Sequence, residues 1–392
     1  MSQIRTKIFN TAICSIITFF ATFIFISCND EEPKPQNISN RTILVYMVAS
    51  NSLGIGHYDT ADIAEMIAAS NSNNFNNGRL IIYHAPYGKN PSLKEVTNGQ
   101  VVTLREYSQS TSSVEQKRMQ EVIDDTKKIA PAHDYGLILW SHANGWFQNG
   151  IVENKALSHF DNTQKNNIFS FGDDKGKYMN ITTLANVLND ENFSFIYFDC
   201  CFMASIEVIY ELRNATPYII ASAPEIPADG MPYEQNIPLL FANNAKLKEV
   251  CATTFDYYNN QKGINNSCAI SLIDTRHIDS LANATVTIYE QHTPLPNDFS
   301  PQKYSLEFNC YYFDFGQYVK ALAGNIEEFE KWQEALNKVV IYKASTQYMW
   351  NKLKLEHHSG LSTYILHNSG DSIIKNYNQL SWWSDVASKY WE

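Results

Sequence analysis

"SFIYFDCCFMASIEVIYEL", residues 194–212, runs from an apolar, aromatic stretch into two adjacent cysteines and then into an amphipathic run. The stretch 193–199 (FSFIYFD) is apolar almost throughout, which predicts a strand buried on both faces. Beyond it Phe202, Ile206, Ile209 and Leu212 recur at spacings of four, three and three, which predicts a helix over 201–214. A buried strand feeding a helix is the unit of a parallel sheet.

The same alternation continues to both sides. TILVYMV (42–48), RLIIYHA (79–85), QVVTLREY (100–107), YGLILWS (135–141), PYIIASA (217–223) and SCAISLID (267–274) read as strands. TADIAEMIAAS (60–70) reads as a helix with Thr60 at its N-cap. SVEQKRMQEVIDDTKKIA (113–130) reads as a helix opened by a capping box of Ser113 and Gln116, and ITTLANVLN (181–189) is helical as well. Together these imply an α/β fold with a mainly parallel central sheet covered on both faces. Past about residue 286 the pattern is less regular and richer in aromatics, with a helix near 326–345. We read 41–285 as the principal domain and 286–392 as a smaller C-terminal subdomain packed on the sheet.

Of the 392 residues, 44% are hydrophobic and 18% charged, a globular composition. The formal charge of −11 lacks the basic footprint that nucleic acid requires. Arg5 and Lys7 precede an uncharged run, TAICSIITFFATFIFIS, that ends at Cys28. This reads as a secretory signal over 1–27, and FISC resembles the lipobox of bacterial lipoproteins, with Cys28 as the lipidated residue. NDEEPKPQNISN then reads as a flexible tether over 28–40 and resembles the acidic export signal of Bacteroidetes surface lipoproteins. Loss of 1–27 would bring the formal charge to −13. The remaining cysteines, Cys200, Cys201, Cys251, Cys268 and Cys310, have neither the even count nor the spacing of a disulfide framework, and no CxxC pair is present.

Two strands end in reactive side chains. GLILWSHANGW delivers His142 just after its strand, and FIYFDCC delivers Cys200 and Cys201 just after theirs. In a parallel sheet such groups meet at the carboxyl edge. A cysteine opening a helix would gain thiolate character from the helix dipole, and an imidazole beside it completes the minimum equipment for acyl transfer. The alternative is an inert buried thiol and a loop histidine. Local chemistry does not choose between the two sulfurs.

The blocks YMVASNSL…DIAEM, LILWSHANGW, SFGDDKGKYMNITTLANVL, FDCCFMASIEVIYEL, ASAPEIPADGMPY and HHSGLSTYIL resemble, in order and spacing, those of clostripain-type cysteine peptidases. The resemblance spans roughly 41–370. It implies a caspase-like α/β/α sandwich, a His–Cys dyad and cleavage after Arg or Lys. Carried over by position, His142 is the general base and acid and Cys201 the nucleophile, with Cys200 at a small-residue position. The N–H groups of Cys201 and Ala143 would form the oxyanion hole. Asp199 and Asp229 are candidates for the base of a pocket that takes a cationic side chain, and Glu225 for a substrate-backbone or loop-anchoring role.

Ala143, Ala228 and Met231 depart from the family pattern, as does Cys200. The dyad chemistry needs no cofactor. Some relatives depend on calcium, for which Asp173 and Asp174 are the nearest oxygen donors, and many cleave themselves in the loop that here carries Lys155, Lys165 and Lys175. The sequence therefore predicts an exported endopeptidase, monomeric, held at the outer membrane or cell surface by a lipid. Its partners would be peptides with basic residues. A non-catalytic surface lipoprotein that binds basic peptides in the same cleft is the alternative, and a redox sensor using Cys200 and Cys201 a third reading.

Overall fold

β1, Ser39–Ala49, shows how the sheet is built. Leu44, Tyr46 and Val48 point into one core and Ile43, Val45 and Met47 into the other, none of them more than 1% exposed. A strand that is apolar on both faces needs cover on both. The structure, a computed structural model, describes residues 38–71, 75–147, 170–306, 310–366 and 374–391, which fall in one compact unit, Asn37–Glu392. The expected signal segment, the lipidated Cys28 and the loop lysines Lys155 and Lys165 lie outside the described residues.

In chain order the strands are β1, β2 (Arg79–Pro86), β3 (Ser92–Thr97), β4 (Gln100–Glu106) and β5 (Ala132–Trp140). A small hairpin, β6 (Phe171–Asp174) and β7 (Lys177–Met179), precedes β8 (Phe195–Asp199), β9 (Tyr218–Ala221) and β10 (Ala269–Asp274). β11 (Phe313–Asp314) and β12 (Val340–Ser345) follow. Nine of these form one sheet in the order β12-β10-β9-β8-β5-β1-β2-β3-β4. The five central strands, β9 to β2 in that order, are parallel, and an antiparallel pair extends each side.

The helices up to the last strand of the sheet are α1 (Ser52–Ile55), α2 (Tyr58–Ser70), α3 (Gln116–Ile129), α4 (Ile181–Leu188) and α5 (Ile206–Glu211), then α6 (Tyr233–Leu240), α7 (Leu247–Asn259), α8 (Ile278–Tyr289), α9 (Phe315–Leu322) and α10 (Ile326–Val339), and two short ones, Ile374–Tyr377 and Ser381–Asp385, follow. α2, α6 and α7 cover one face of the sheet through Met66, Ile237 and Val250. α3, α4, α5 and α8 to α10 cover the other through Met119, Leu184, Ile209, Leu281, Val319 and Leu336. This is the caspase-like three-layer arrangement.

Several expected boundaries shift for identifiable reasons. The helix read over 201–214 is confined to α5, capped by the Ser205 hydroxyl on the Val208 N–H, so Cys201 does not open a helix. α2 starts at Tyr58 with His57, not Thr60, at its N-cap in a left-handed conformation. α3 starts at Gln116 rather than Ser113, because Ser113 is held elsewhere: its carbonyl accepts from Tyr46 Oη at 2.6 Å and its N–H donates to Asp174 Oδ2 at 2.7 Å. The segment 326–345 is helical only to Val339, and its last six residues form β12 at the sheet edge.

The expected division at 285–286 falls inside α8. Residues beyond it are tied to α5 by the buried Glu207, which accepts from the Tyr364 N–H at 2.8 Å and the Thr363 hydroxyl at 3.0 Å. Among the described residues no helix is long and apolar enough to cross a membrane.

Candidate active site

Trp140 and Asp199 are register partners on the parallel strands β5 and β8. His142 and Cys201 each follow two residues later, so the chain brings both to the same carboxyl edge from positions 59 apart. Four loops converge there, after β1, β5, β8 and β9. The post-β8 turn is fastened to the post-β9 loop by Phe202 N–H to the Pro224 carbonyl at 3.0 Å and Ala204 N–H to the Ser222 carbonyl at 2.9 Å.

The two sulfurs have different surroundings. Cys200 continues the strand alternation of Ile196 and Phe198 into the larger core, is fully buried, and donates its S–H to the Leu139 carbonyl at 2.9 Å. Cys201 is half-buried, and its sulfur accepts the Ile226 N–H at 3.4 Å. The turn between them and α5 is held by Phe202, whose φ of 62° is rare for a bulky side chain and whose ring stacks on Tyr312 at 4.5 Å.

The site is electrically quiet. Burial pushes the Cys201 thiol up to about 12, helped by the nearby Glu225 carboxylate. Burial likewise pulls His142 down to about 4. The expected thiolate is therefore replaced by a neutral thiol and a neutral imidazole, in keeping with the absence of a helix N-terminus at Cys201. His142 Nε2 lies 2.8 Å from Ser52 Oγ on α1.

Ala143 forms an isolated antiparallel bridge with Phe171. Its hydrogen bonds use the His142 carbonyl, taking the Gly172 N–H at 2.9 Å, and the Asn144 N–H, given to the Ser170 carbonyl at 3.1 Å. Among the described residues, no hydrogen bond occupies the N–H of Ala143 or of Cys201. The left-handed residue of this block is Gly145, at φ 60°, and not Ala143. A Cβ at 145 would stand 2.7 Å from Tyr312 Oη.

Asp199 lies beneath the 226–231 loop, fully enclosed, where its Oδ2 accepts the Tyr233 hydroxyl at 2.8 Å and the Met231 N–H at 3.1 Å. Burial raises it to about 6 against these two donors. A cavity lined by Tyr197, Asp199, Ser222, Ile226, Gly230 and Met231 adjoins it. Asp229 is exposed on the same loop. Glu225 accepts the Trp350 indole N–H at 2.9 Å, a loop-anchoring contact.

Two further acids from α2 belong to this cluster. Asp62 accepts Trp140 Nε1–H at 2.6 Å, and Glu65 accepts the Tyr233 N–H at 2.8 Å. Burial, with Asp199 nearby, raises Asp62 to about 9, and Asp229 lies close enough to act on both α2 acids. The sequence reading passed over them, although Asp62 and Met66 share the buried stripe of α2, an unusual position for an acid. Ser52 carries no comparable signal, since a serine after a strand is ordinary loop chemistry.

Asp173 and Asp174 do not converge. Asp173 Oδ1 accepts the Gly176 N–H at 2.8 Å within the hairpin turn, while Asp174 Oδ2 holds the Ser112 hydroxyl at 2.5 Å and the Ser113 N–H at 2.7 Å. Among the described residues no group of three or more His, Cys, Asp or Glu side chains could hold a metal ion. Lys175, the one described lysine of the expected cleavage segment, sits in the β6–β7 turn with its N–H on the Ser50 carbonyl at 3.1 Å.

A three-layer caspase-like sheet with histidine and cysteine on adjacent strand ends defines a class of thiol hydrolase. Within that class, the chain belongs to the clostripain family, which it matches over residues 45–391, and is a cysteine peptidase. A secreted C11 cysteine protease from Bacteroides thetaiotaomicron, solved with an irreversible peptide inhibitor, is 29% identical, with a TM-score of 0.75, covering 90% of this chain and all of its own. An inactive zymogen C11 protease from Parabacteroides distasonis is 27% identical over 89% of this chain and 98% of its own, with a TM-score of 0.74. A second secreted C11 protease from B. thetaiotaomicron, iotapain, is 23% identical over 89% and 99%, and its TM-score of 0.77 supports the fold. No curated protein matches the chain.

Proposed function

We propose that the chain is an exported endopeptidase that cleaves after lysine or arginine, with Cys201 as nucleophile and His142 as general base and acid. The observation that carries this reading is the placement of His142 and Cys201 two residues beyond the register pair Trp140 and Asp199. His142 takes the Sγ proton as sulfur attacks the scissile carbonyl carbon, and the oxyanion forms against the N–H groups of Ala143 and Cys201. Collapse breaks the C–N bond, the proton passes to the leaving amine, and water hydrolyses the thioester. Burial favours the neutral thiol and the neutral imidazole over the ion pair in the free protein.

Asp199, with the exposed Asp229 on the loop above it, would supply the negative charge that a desolvated cationic side chain needs. Export and lipid attachment at Cys28 are carried by the sequence of the first 40 residues, and the secreted relatives are consistent with them.

The test is turnover of fluorogenic peptides with Lys, Arg, Gln or Asp before the cleaved bond, by wild type, Cys201→Ala and His142→Ala. Turnover of the Lys or Arg peptides alone, lost in both variants, is expected. Tight binding of basic peptides by a wild type that turns none over would replace this reading with the non-catalytic one. Radiolabelled palmitate incorporated by wild type and not by Cys28→Ser would test the anchor.

A further inference from the structure

We propose that Ser52 is the positioning residue of His142: its hydroxyl oxygen takes the Nε2–H of the imidazole, which leaves Nδ1 as the nitrogen that receives the Cys201 proton. This rests on the proposed dyad. Ser52 Oγ lies 2.8 Å from Nε2, and among the described residues no other hydrogen bond holds the ring. Among the described residues no carboxylate is hydrogen-bonded to the ring, so Ser52 holds the place that an acid takes in many hydrolase sites. A neutral imidazole has two tautomers, and the partner of one nitrogen decides which nitrogen is basic.

The position of Ser52 is built rather than incidental. Asn51 caps α1 with Oδ1 on the Leu53 N–H at 2.9 Å, and its Nδ2 donates to the Val48 carbonyl at 3.0 Å and the Asp173 carbonyl at 2.8 Å. The same Nδ2 reaches Ser141 Oγ at 3.3 Å, and Ser141 itself donates to the Val48 carbonyl at 2.8 Å. Ser141 precedes His142, so a single knot of bonds fixes the backbones of both partners. Gly54 lets α1 fold back onto β1, since a Cβ there would stand 1.9 Å from the Ala49 carbonyl oxygen. When His142 accepts the thiol proton, the Nε2–H···Oγ bond becomes charge-assisted and strengthens as the transition state is approached.

The experiment compares wild type, Ser52→Ala, Ser52→Thr and His142→Ala on a lysyl or arginyl peptide, with 15N spectra of the histidine rings of the Cys201→Ala protein with and without Ser52→Ala. Ser52→Ala is expected to lower kcat by about ten- to a hundredfold, the span of one hydrogen bond to a charged group, with KM little changed. The His142 signals should pass from the Nε2–H tautomer to a mixture, Ser52→Thr should restore most of kcat, and the melting temperature should barely move. Wild-type kcat and an unchanged tautomer in Ser52→Ala, with His142→Ala inactive, would overturn the role of Ser52 alone. Activity retained in His142→Ala would overturn the dyad and the Ser52 role with it.

Discussion

Cys200 Sγ donates to the Leu139 carbonyl at 2.9 Å, on the core side of β8, while the next sulfur, Cys201, leaves the strand for the loop edge. The pair thus divides into a packing thiol and the proposed nucleophile. Cys200→Ala removes one weak hydrogen bond and a small buried volume, and should cost about 1–2 kcal/mol of stability with turnover retained. Cys201→Ala should abolish turnover and leave stability nearly unchanged. Thermal unfolding beside a peptide assay separates the two, and iodoacetamide should label Cys201 well before Cys200.

Gly230 carries φ 64°, and a Cβ added there would stand 2.8 Å from Asp199 Oδ2. Its carbonyl also accepts the Tyr258 hydroxyl, so the backbone has little freedom to move away. Gly230→Ala should therefore destabilise the protein by about 1–3 kcal/mol and push the loop off Asp199. Under the proposed pocket, kcat/KM on basic substrates should fall through KM. An alanine variant with wild-type stability and KM would remove the close approach from the account of the pocket.

The layered fold was legible because its central strands are continuous apolar runs, and β1, β5 and β8 appear within a few residues of where the sequence puts them. The junction at Cys201 was misread for a physical reason. Phe202 and Ile206 keep a helical spacing, but Phe202 adopts φ 62° to stack on Tyr312, a partner 110 residues away. Asp199 was legible as a strand-end acid, whereas Asp62 and Ser52 enter the site through the turn after β1, which only tertiary contacts align with His142 and Trp140.

Glu225 is the largest charged influence on Cys201 and acts against its ionisation. Glu225→Gln removes that charge while keeping an acceptor for Trp350 Nε1–H, now at 2.9 Å. The thiol pKa should fall, so the alkylation rate of Cys201 at mildly alkaline pH should rise over wild type. Trp350→Phe, which removes the indole donor and leaves the charge in place, should not reproduce the gain. Equal alkylation rates in wild type and Glu225→Gln would mean that burial alone sets the thiol.

Asp199 and Asp62 put opposite demands on pH. Pairing with a cationic side chain needs Asp199 ionised, and with its pKa raised to about 6, kcat/KM on lysyl peptides should fall as pH drops through that value. His142 gains its proton only near 4, so kcat should hold to lower pH than kcat/KM. Asp62, raised to about 9, is protonated in the folded protein at neutral pH, whereas in the unfolded chain it ionises near about 3.9. Its contribution to stability is thus full at acid pH and is lost as pH rises toward about 9. Asp62→Asn does not titrate and keeps an acceptor for Trp140 Nε1–H. The melting temperature of the variant relative to wild type should climb steadily between these two limits and then level off. A difference that stays flat across the range would mean that Asp62 is ionised in the folded protein.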